Sequence, residues 1–437
     1  MKYIAALLVL TAVFLTGCAP AKNTINLPHF PDENPASEGK HELEELNDCS
    51  NDKFYYSYGR MKDNESFRLV AYTDFEENEN RVLCNIKDCK HDSEQCEAWV
   101  GVDNINCLQR LPCHNYLFWI GMCEVPNDFS NENEYVDAQR RKSLQLFVSN
   151  EDGTHKREFL VGKECTAPPM SVLYSYCDGE MLYCIVAENE IDDYILEQAP
   201  LYLLKIEISS GKLAQEVNLG RALSNSNSLG VFNGSPYFYV FSWNKDVIGF
   251  TAYGLSLKTG ELTKAFEIKD VKDMQLLENR ISDGRLYFGQ NADKSIVSYD
   301  IVSGKLTFEM KIPDDWVDYK MEHIGDRYVI SADTKTERVK YFTFRNVGDK
   351  PQKFVPITFF YEKQDKIKVL GESKTDFFVA MDTKMVRSHE ISPDGNPVFF
   401  DEFYFDYAMI KKDDYFNGIP NFREIKYTQR PTIIGEN

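Results

Sequence analysis

The stretch that decides the fold is DGRLYFGQNADKSIVSYDIVSGKL, residues 283–306. Asp283-Gly284 predicts a tight turn, because glycine accepts a positive φ and aspartate can hydrogen-bond to its own backbone. Residues 286–288 and 296–301 are rich in β-branched and aromatic side chains, which favour strands. Ser303-Gly304 predicts a second hairpin turn. The stretch therefore predicts two paired strands, and a third strand that begins at its C-terminal end.

This arrangement recurs along most of the chain. The later turn appears at 152–153, 210–211, 259–260, 303–304, 347–348 and 394–395, so that successive glycines are 58, 49, 44, 44 and 47 residues apart. Glu79-Asn80 is interpreted as a degenerate first copy. The earlier turn recurs at 178–179, 233–234, 283–284, 325–326 and 375–376. A period of about 40–50 residues with about four short strands is typical of a propeller blade. The sequence predicts an all-β fold, a β-propeller of about seven four-stranded antiparallel blades, with six or eight as alternatives.

The N-terminus, MKYIAALLVLTAVFLTGC, has the features of an export signal. Lys2 supplies a short positive region, and residues 4–15 form an apolar run too short to span a membrane. Leu15-Thr16-Gly17-Cys18 resembles the bacterial lipobox, whose cysteine is lipidated and becomes the mature N-terminus. We expect residues 1–17 to be a lipoprotein signal peptide and Cys18 to carry the lipid. The protein would then be extracytoplasmic and lipid-anchored to the outer face of the bacterial cell membrane. The alternative is an ordinary secretion signal.

Residues 18–48 are predicted to be a flexible tether from the lipidated cysteine to the folded domain. This stretch has scattered prolines, the acidic run Glu42-Leu43-Glu44-Glu45 and few apolar residues. The alternative is an arm packed on the domain. Residues 49–437 are assigned to the propeller, and residues 405–437 either complete the last blade or pack across the ring.

The net charge of −20 argues against nucleic-acid binding, because an acidic surface repels phosphates. No linear motif of a nucleotide-binding site, zinc protease or serine hydrolase is present. Trp119 and Trp243 lie in strand-like runs and are expected in the core. Trp316 follows two aspartates, and we expect it to be the better candidate for an exposed carbohydrate platform.

Ten of the eleven cysteines lie between Cys49 and Cys184, and a Cys-rich insertion is predicted at about 84–123. The spacing Cys84-x4-Cys89-x-His91-x4-Cys96 offers three sulfurs and an imidazole, which are possible zinc ligands. It is not a common zinc pattern, and an exported protein favours disulfides. Disulfides are therefore expected first, zinc second and free thiols third, and otherwise no cofactor is expected. Cys89 and His91 are not expected to form a catalytic pair, because sequence adjacency does not supply the required geometry.

Residues 83–96, LCNIKDCKHDSEQC, resemble a segment near the start of propeller lipoproteins from Gram-positive gut-type bacteria. Many members of that family are described only as a domain of unknown function, or as TolB-like. The resemblance covers the lipobox, this segment and the repeats. It implies a propeller outside the cytoplasm and carries no catalytic residue to this chain.

We expect a cell-surface lipoprotein whose propeller binds an extracellular ligand or an envelope protein, without chemistry of its own. The membrane would be a partner through the N-terminal lipid. One alternative is an extracellular enzyme acting on polysaccharide or peptide at the mouth of the channel. Another is a zinc-stabilised structural or sensory lipoprotein.

Overall fold

The fold is taken from a computed structural model. It describes residues 42–46, 49–61, 64–91, 95–99, 105–123, 144–159, 169–188, 200–221, 223, 226–244, 247–269, 271, 273–335, 339–358, 366–391 and 397–427. Within these residues the strands form seven sheets, which confirms the predicted all-β propeller of seven four-stranded blades. Cys18 and residues 1–41 lie outside the described residues. Among the described residues no helix has the length and apolarity needed to cross a membrane.

The elements run in chain order around the ring. A short strand β1 (Glu44–Glu45) precedes blade 1, which contains β2 (Phe54–Met61), β3 (Asn64–Asp74) and β4 (Glu79–Val82). Blade 2 contains β5 (Ile105–Cys113), β6 (Tyr116–Cys123), β7 (Leu144–Asn150) and β8 (Arg157–Phe159). Blade 3 contains β9 (Pro169–Cys177), β10 (Met181–Glu188), β11 (Leu201–Glu207) and β12 (Leu213–Gly220).

The second half of the ring continues the pattern. Blade 4 contains β13 (Asn227–Phe232), β14 (Ser235–Asn244), β15 (Val247–Leu255) and β16 (Leu262–Ile268). Blade 5 contains β17 (Met274–Leu276), β18 (Arg285–Gln290), β19 (Ser295–Asp300) and β20 (Lys305–Lys311). Blade 6 contains β21 (Trp316–Ile324), β22 (Arg327–Thr334), β23 (Lys340–Phe344) and β24 (Gln352–Phe354). Blade 7 contains β25 (Lys368–Glu372), β26 (Asp376–Ile391), β27 (Pro397–Lys411), helix α1 (Lys412–Phe416) and β28 (Arg423–Glu424), and β29 (Lys426–Tyr427) follows.

The deciding stretch forms the expected hairpins. Asp283 and Gly284 have φ values of 49° and 71°, and the chain turns there into β18. Two consecutive positive φ values are typical of the tight turn that matches the twist of paired strands, and they favour Asp-Gly and Asn-Gly. Gly304 also has a positive φ, 67°, between β19 and β20.

Two of the seven marker turns were placed wrongly. Glu79-Asn80 lies inside strand β4 and is not a turn. Asp394-Gly395 itself lies outside the described residues, between β26 and β27, the second and third strands of blade 7. In blades 2 to 6 the corresponding turn joins the third and fourth strands. A turn dipeptide favours a hairpin but does not specify which hairpin of a blade it closes, so the count of seven is right although these two assignments are not.

The C-terminal segment closes the ring. β28 is the fourth strand of blade 7, and β29 pairs in parallel with β4 as the fourth strand of blade 1, with Lys426 opposite Glu79. The Asn78 side chain also donates a hydrogen bond to the carbonyl of Glu424. The described part of the segment, residues 405–427, therefore both completes the last blade and supplies a strand to the first.

Seven hydrophobic clusters of described residues each join two neighbouring blades. Tyr56 and Trp119 share the cluster between blades 1 and 2, for example, and Phe75 and Met409 share the one between blades 7 and 1. A single four-stranded sheet cannot bury both of its faces, so each blade depends on its neighbours. The core of the protein is accordingly distributed around the ring.

The tether prediction needs correction at its C-terminal end. Glu44 and Glu45 form β1, which pairs antiparallel with β9 of blade 3, and Leu46 is buried. A sheet edge with unpaired backbone groups readily accepts another strand, even an acidic one. At least this part of residues 18–48 is therefore a packed arm.

Two further expectations differ from the structure. Trp316 is 2% exposed, so the proposed aromatic platform is wrong. The cysteine-rich connection is also shorter than 84–123, because Ile105–Cys113 and Tyr116–Cys123 are the first two strands of blade 2. Trp119 is buried as predicted, whereas the side chain of Trp243 lies outside the described residues.

Candidate functional site

A cavity of about 410 Å³ opens where the first strands of several blades end. We call it the channel cavity, because β2 contacts both β5 and β25, which places the first strands around the ring axis. Residues 43–46, 50–51, 112–114, 230–231 and 280–281 line it. The N-terminal arm therefore forms part of its wall, and no blade supplies the cavity alone.

An acidic and a basic residue, Glu45 and Arg280, line one side of the channel cavity. The Ser228 hydroxyl donates a 2.5 Å hydrogen bond to Glu45 Oε1. A Cβ on Gly230 would lie 3.6 Å from Glu45 Oε2 and 3.9 Å from the Arg280 Cγ, and Gly230 has a φ of 84°. Glycine thus leaves room between the acidic arm and the basic residue. Glu45 and Arg280 are therefore lining residues of opposite charge in the same cavity.

Cys113 and His114 of the cavity wall form a cluster with Cys177 behind them. Their potential ligand atoms all lie within 4.8 Å of one another. His114 Nδ1 is also 3.6 Å from Glu44 Oε1 on β1. The hydrogen bond with Cys177 and the burial of the side chain both raise the pKa of Cys113 far above its ordinary value. The buried Cys113 is therefore a neutral thiol, unlike a reactive cysteine, whose pKa is lowered.

The sequence-predicted metal ligands come together in a second cluster, outside the channel cavity. Sulfur atoms of Cys84, Cys89 and Cys96 and a ring nitrogen of His91 all lie within 4.8 Å of one another. His91 Nδ1 is 3.3 Å from Cys96 Sγ. The seven cysteines that the structure describes in full are free thiols, so the disulfides expected first do not appear among them.

Glu278 is a half-buried acidic residue that the sequence analysis did not single out. It follows β17, two residues before Arg280 of the cavity wall. Its Oε2 is buried without a hydrogen-bond partner, and burial raises its pKa to about 7, against the opposing effect of Arg280. A carboxyl with such a pKa can donate or accept a proton near neutral pH.

The residues of the channel cavity were missed because nothing local marks them. Glu44, His114, Gly230 and Arg280 belong to four distant parts of the chain, and only ring closure brings them together. The one usable signal was the acidic run at 42–45, which was assigned to the tether. Cys18 cannot be placed, because it precedes the described residues.

Comparison with protein-family profiles and with curated protein sequences gave no match. Among solved structures, the chain is similar to Pyrococcus horikoshii acylaminoacyl peptidase, with 9% identity and a TM-score of 0.41 over 84% of this chain and 58% of that one. It is also similar to prolyl oligopeptidase B from Galerina marginata (8%, 0.39, over 85% and 56%) and to TolB from Acinetobacter baumannii (9%, 0.31, over 83% and 78%).

The chain thus spans less than two thirds of either peptidase. At these identities and TM-scores the similarities give no argument about activity. The propeller expected from the family resemblance is confirmed by the sheet topology. Lipidation, export and Gram-positive origin stay predictions.

Proposed function

We propose that this protein is a lipid-anchored, extracytoplasmic propeller of a Gram-positive bacterium that binds a small ligand in the channel cavity without transforming it. The cavity carries the proposal, because about 410 Å³ lies in the range of small-molecule sites and is too small for a folded partner. Glu45 and Arg280 both line it, so the ligand class that fits best bears both an ammonium and a carboxylate, as short peptides do.

The state of the Cys113 thiol in the cavity wall favours binding over covalent catalysis. Cys113 lies beside His114, and His114 Nδ1 is 3.6 Å from Glu44 Oε1, an arrangement superficially like a nucleophile, base and orienting acid. A nucleophile must be activated by a lowered pKa or an adjacent base and must be accessible to substrate. The Cys113 thiol is instead buried, and its pKa is raised.

We expect short peptides to raise the melting temperature of the full chain and Arg280→Ala to weaken their binding about tenfold, the loss typical of one charge-assisted hydrogen bond. A ligand at 100 times its Kd stabilises the folded state by about 2.7 kcal/mol. Thermal shift against a panel of dipeptides and tripeptides, followed by calorimetric titration, measures both effects. Arg345→Ala is the matched control, because Arg345 is exposed in blade 6 away from the cavity. Equal affinity of the Arg280→Ala variant and the wild type would contradict the proposed site.

Lipidation of Cys18 is tested by Cys18→Ser. We expect wild-type protein in the membrane fraction and the variant in the medium or soluble fraction, because the acyl chains on Cys18 are the proposed anchor. Cell fractionation and incorporation of a labelled fatty acid check this. Unchanged membrane association with no label in either protein would rule out the lipid anchor.

Glu278 favours one alternative, an extracellular enzyme acting on polysaccharide or peptide. Its pKa of about 7 suits a general acid or base. The alternative predicts turnover of a polymer that Glu278→Gln abolishes while the melting temperature stays unchanged. Peptide binding without turnover in the same protein would favour the binding function.

A further inference from the structure

We propose that Cys84, Cys89, His91 and Cys96 bind one zinc ion, which fixes the loop between blades 1 and 2. Zinc in structural sites takes four ligands in a tetrahedron, and three cysteines with one histidine are an established set. The proposal goes beyond the binding function and does not depend on it, since none of these residues lines the channel cavity.

The geometry is close to that of a tetrahedral site. Zn–S bonds of about 2.3 Å place two sulfur ligands of one ion about 3.8 Å apart. The four potential ligand atoms lie within 4.8 Å of one another, and His91 Nδ1 is already 3.3 Å from Cys96 Sγ. A contraction of about 1 Å or less closes the set around an ion.

The local backbone conformation brings these four side chains together. Asp88 and His91 have φ values of 60° and 54°, an uncommon conformation for residues with side chains. These two bends bracket Cys89, and the His91 backbone N–H donates to Cys89 Sγ at 3.4 Å. A backbone hydrogen bond also reaches Cys96 from Ala98. These bends and backbone hydrogen bonds hold Cys89, His91 and Cys96 close together.

A partly buried cation lies beside the cluster. The ammonium of Lys156 donates a hydrogen bond to the Trp99 carbonyl and lies 4.0 Å from the ring centroid of Trp119. It is close enough to Cys96 for a charge interaction. Zn²⁺ with three thiolates and a neutral imidazole carries one negative charge. Lys156 supplies a nearby positive charge that would compensate it.

The number of sulfur atoms in the cluster argues against a disulfide. Three sulfurs converge, and a disulfide uses two and leaves the third. It also gives no role to His91, whose ring points at Cys96. A metal ion uses all four groups.

The site lies where a bound ion would join two blades. Leu83 N–H donates to the Val70 carbonyl, and Val70 N–H donates to the Ala98 carbonyl, so both ends of the loop bond to one residue of β3. Asn85 Nδ2 donates to the Asp152 carbonyl of blade 2 at 2.8 Å. Fixing the loop with zinc would hold this contact between the blades.

The test uses the full chain, exported by a bacterial host and purified in detergent without chelator. We expect about one zinc per chain by native mass spectrometry and elemental analysis. His91→Ala is expected to weaken zinc at least about tenfold in competition with a chromophoric chelator. His91→Cys is expected to retain zinc as a four-cysteine site. Cobalt(II) substitution should give thiolate-to-cobalt charge-transfer and tetrahedral d–d absorption in the wild type and His91→Cys.

Cys49→Ser is the matched control, because Cys49 is a free thiol outside both clusters, and it should leave the zinc content unchanged. Removing zinc should lower the melting temperature of the wild type and of Cys49→Ser alike. If His91→Ala fails to fold, the zinc content and cobalt spectrum of His91→Cys decide. Disulfides among Cys84, Cys89 and Cys96 in metal-free exported protein would overturn the proposal. So would zinc that is lost with Cys177→Ser but retained in His91→Ala.

Discussion

Ile425→Asp is expected to lower the free energy of unfolding by about 3–5 kcal/mol, because it removes a buried side chain and puts a carboxylate in its place. Ile425 lies between β28 and β29, the strands that complete blades 7 and 1. It is 7% exposed and packs in the cluster with Phe75, Phe378 and Met409. A charge at this position acts on the junction where the ring closes.

Ile419→Asp provides the matched control, since Ile419 is 48% exposed and the chemical change is the same. We expect its effect to stay within about 0.5 kcal/mol, as is usual at the surface. Urea unfolding of both variants, followed by circular dichroism, measures the difference. Equal stability of the two variants would show that β29 does not hold the ring closed.

The repeat was predictable because its determinants are local. Asp283-Gly284 and Asn233-Gly234 both adopt positive φ values at consecutive residues, as their chemistry favours. The same kind of turn dipeptide gave wrong assignments in blades 1 and 7, where the order of strands and turns differs from that of the other blades. Blade 1 obtains its fourth strand from residues 426–427, so no hairpin joins its third strand to its fourth.

Ring closure and the packed arm were not predictable, because both are pairings between distant segments. Lys426 pairs with Glu79, and Glu44 pairs with Cys177, without a sequence pattern that links either pair. The composition of residues 18–48 indicates low core-forming capacity, but a two-residue strand needs only backbone hydrogen bonds to join an edge. The channel cavity depends on the same distant pairings, so it was missed with them.

The cysteine cluster shows the opposite case. Its four residues lie within one short segment, and their spacing by itself indicates a possible shared site. The sequence ranked disulfides above zinc because the spacing is not a common zinc pattern and because an exported protein favours disulfides. The position of His91 supplies what the spacing lacked, since its ring nitrogen lies 3.3 Å from Cys96 Sγ and would be a fourth ligand to a metal ion, whereas a disulfide does not use it.

Trp316→Ala is expected to lower the free energy of unfolding by about 3–5 kcal/mol, the usual cost of truncating a buried tryptophan. Its ring centroid lies 4.7 Å from that of Phe342 and 6.1 Å from that of Tyr319, in the cluster between blades 5 and 6. Strict alternation from Tyr319 back along β21 would turn Val317 inward and leave Trp316 on the outer face. A register shift between Trp316 and Asp318 instead turns Trp316 inward and Val317 outward. This is why Trp316 is buried although it follows two aspartates.

Val317→Ala is the matched control, because Val317 is next to Trp316 in the chain but is exposed. We expect it to change stability by no more than about 0.5 kcal/mol. Trp316→Phe should fall between the two, since it keeps an aromatic ring against Phe342 but leaves a smaller cavity. Thermal and urea unfolding of the three variants measures the order. A Trp316→Ala protein as stable as Val317→Ala, but defective in binding a polysaccharide, would restore the exposed platform that the acidic context suggested.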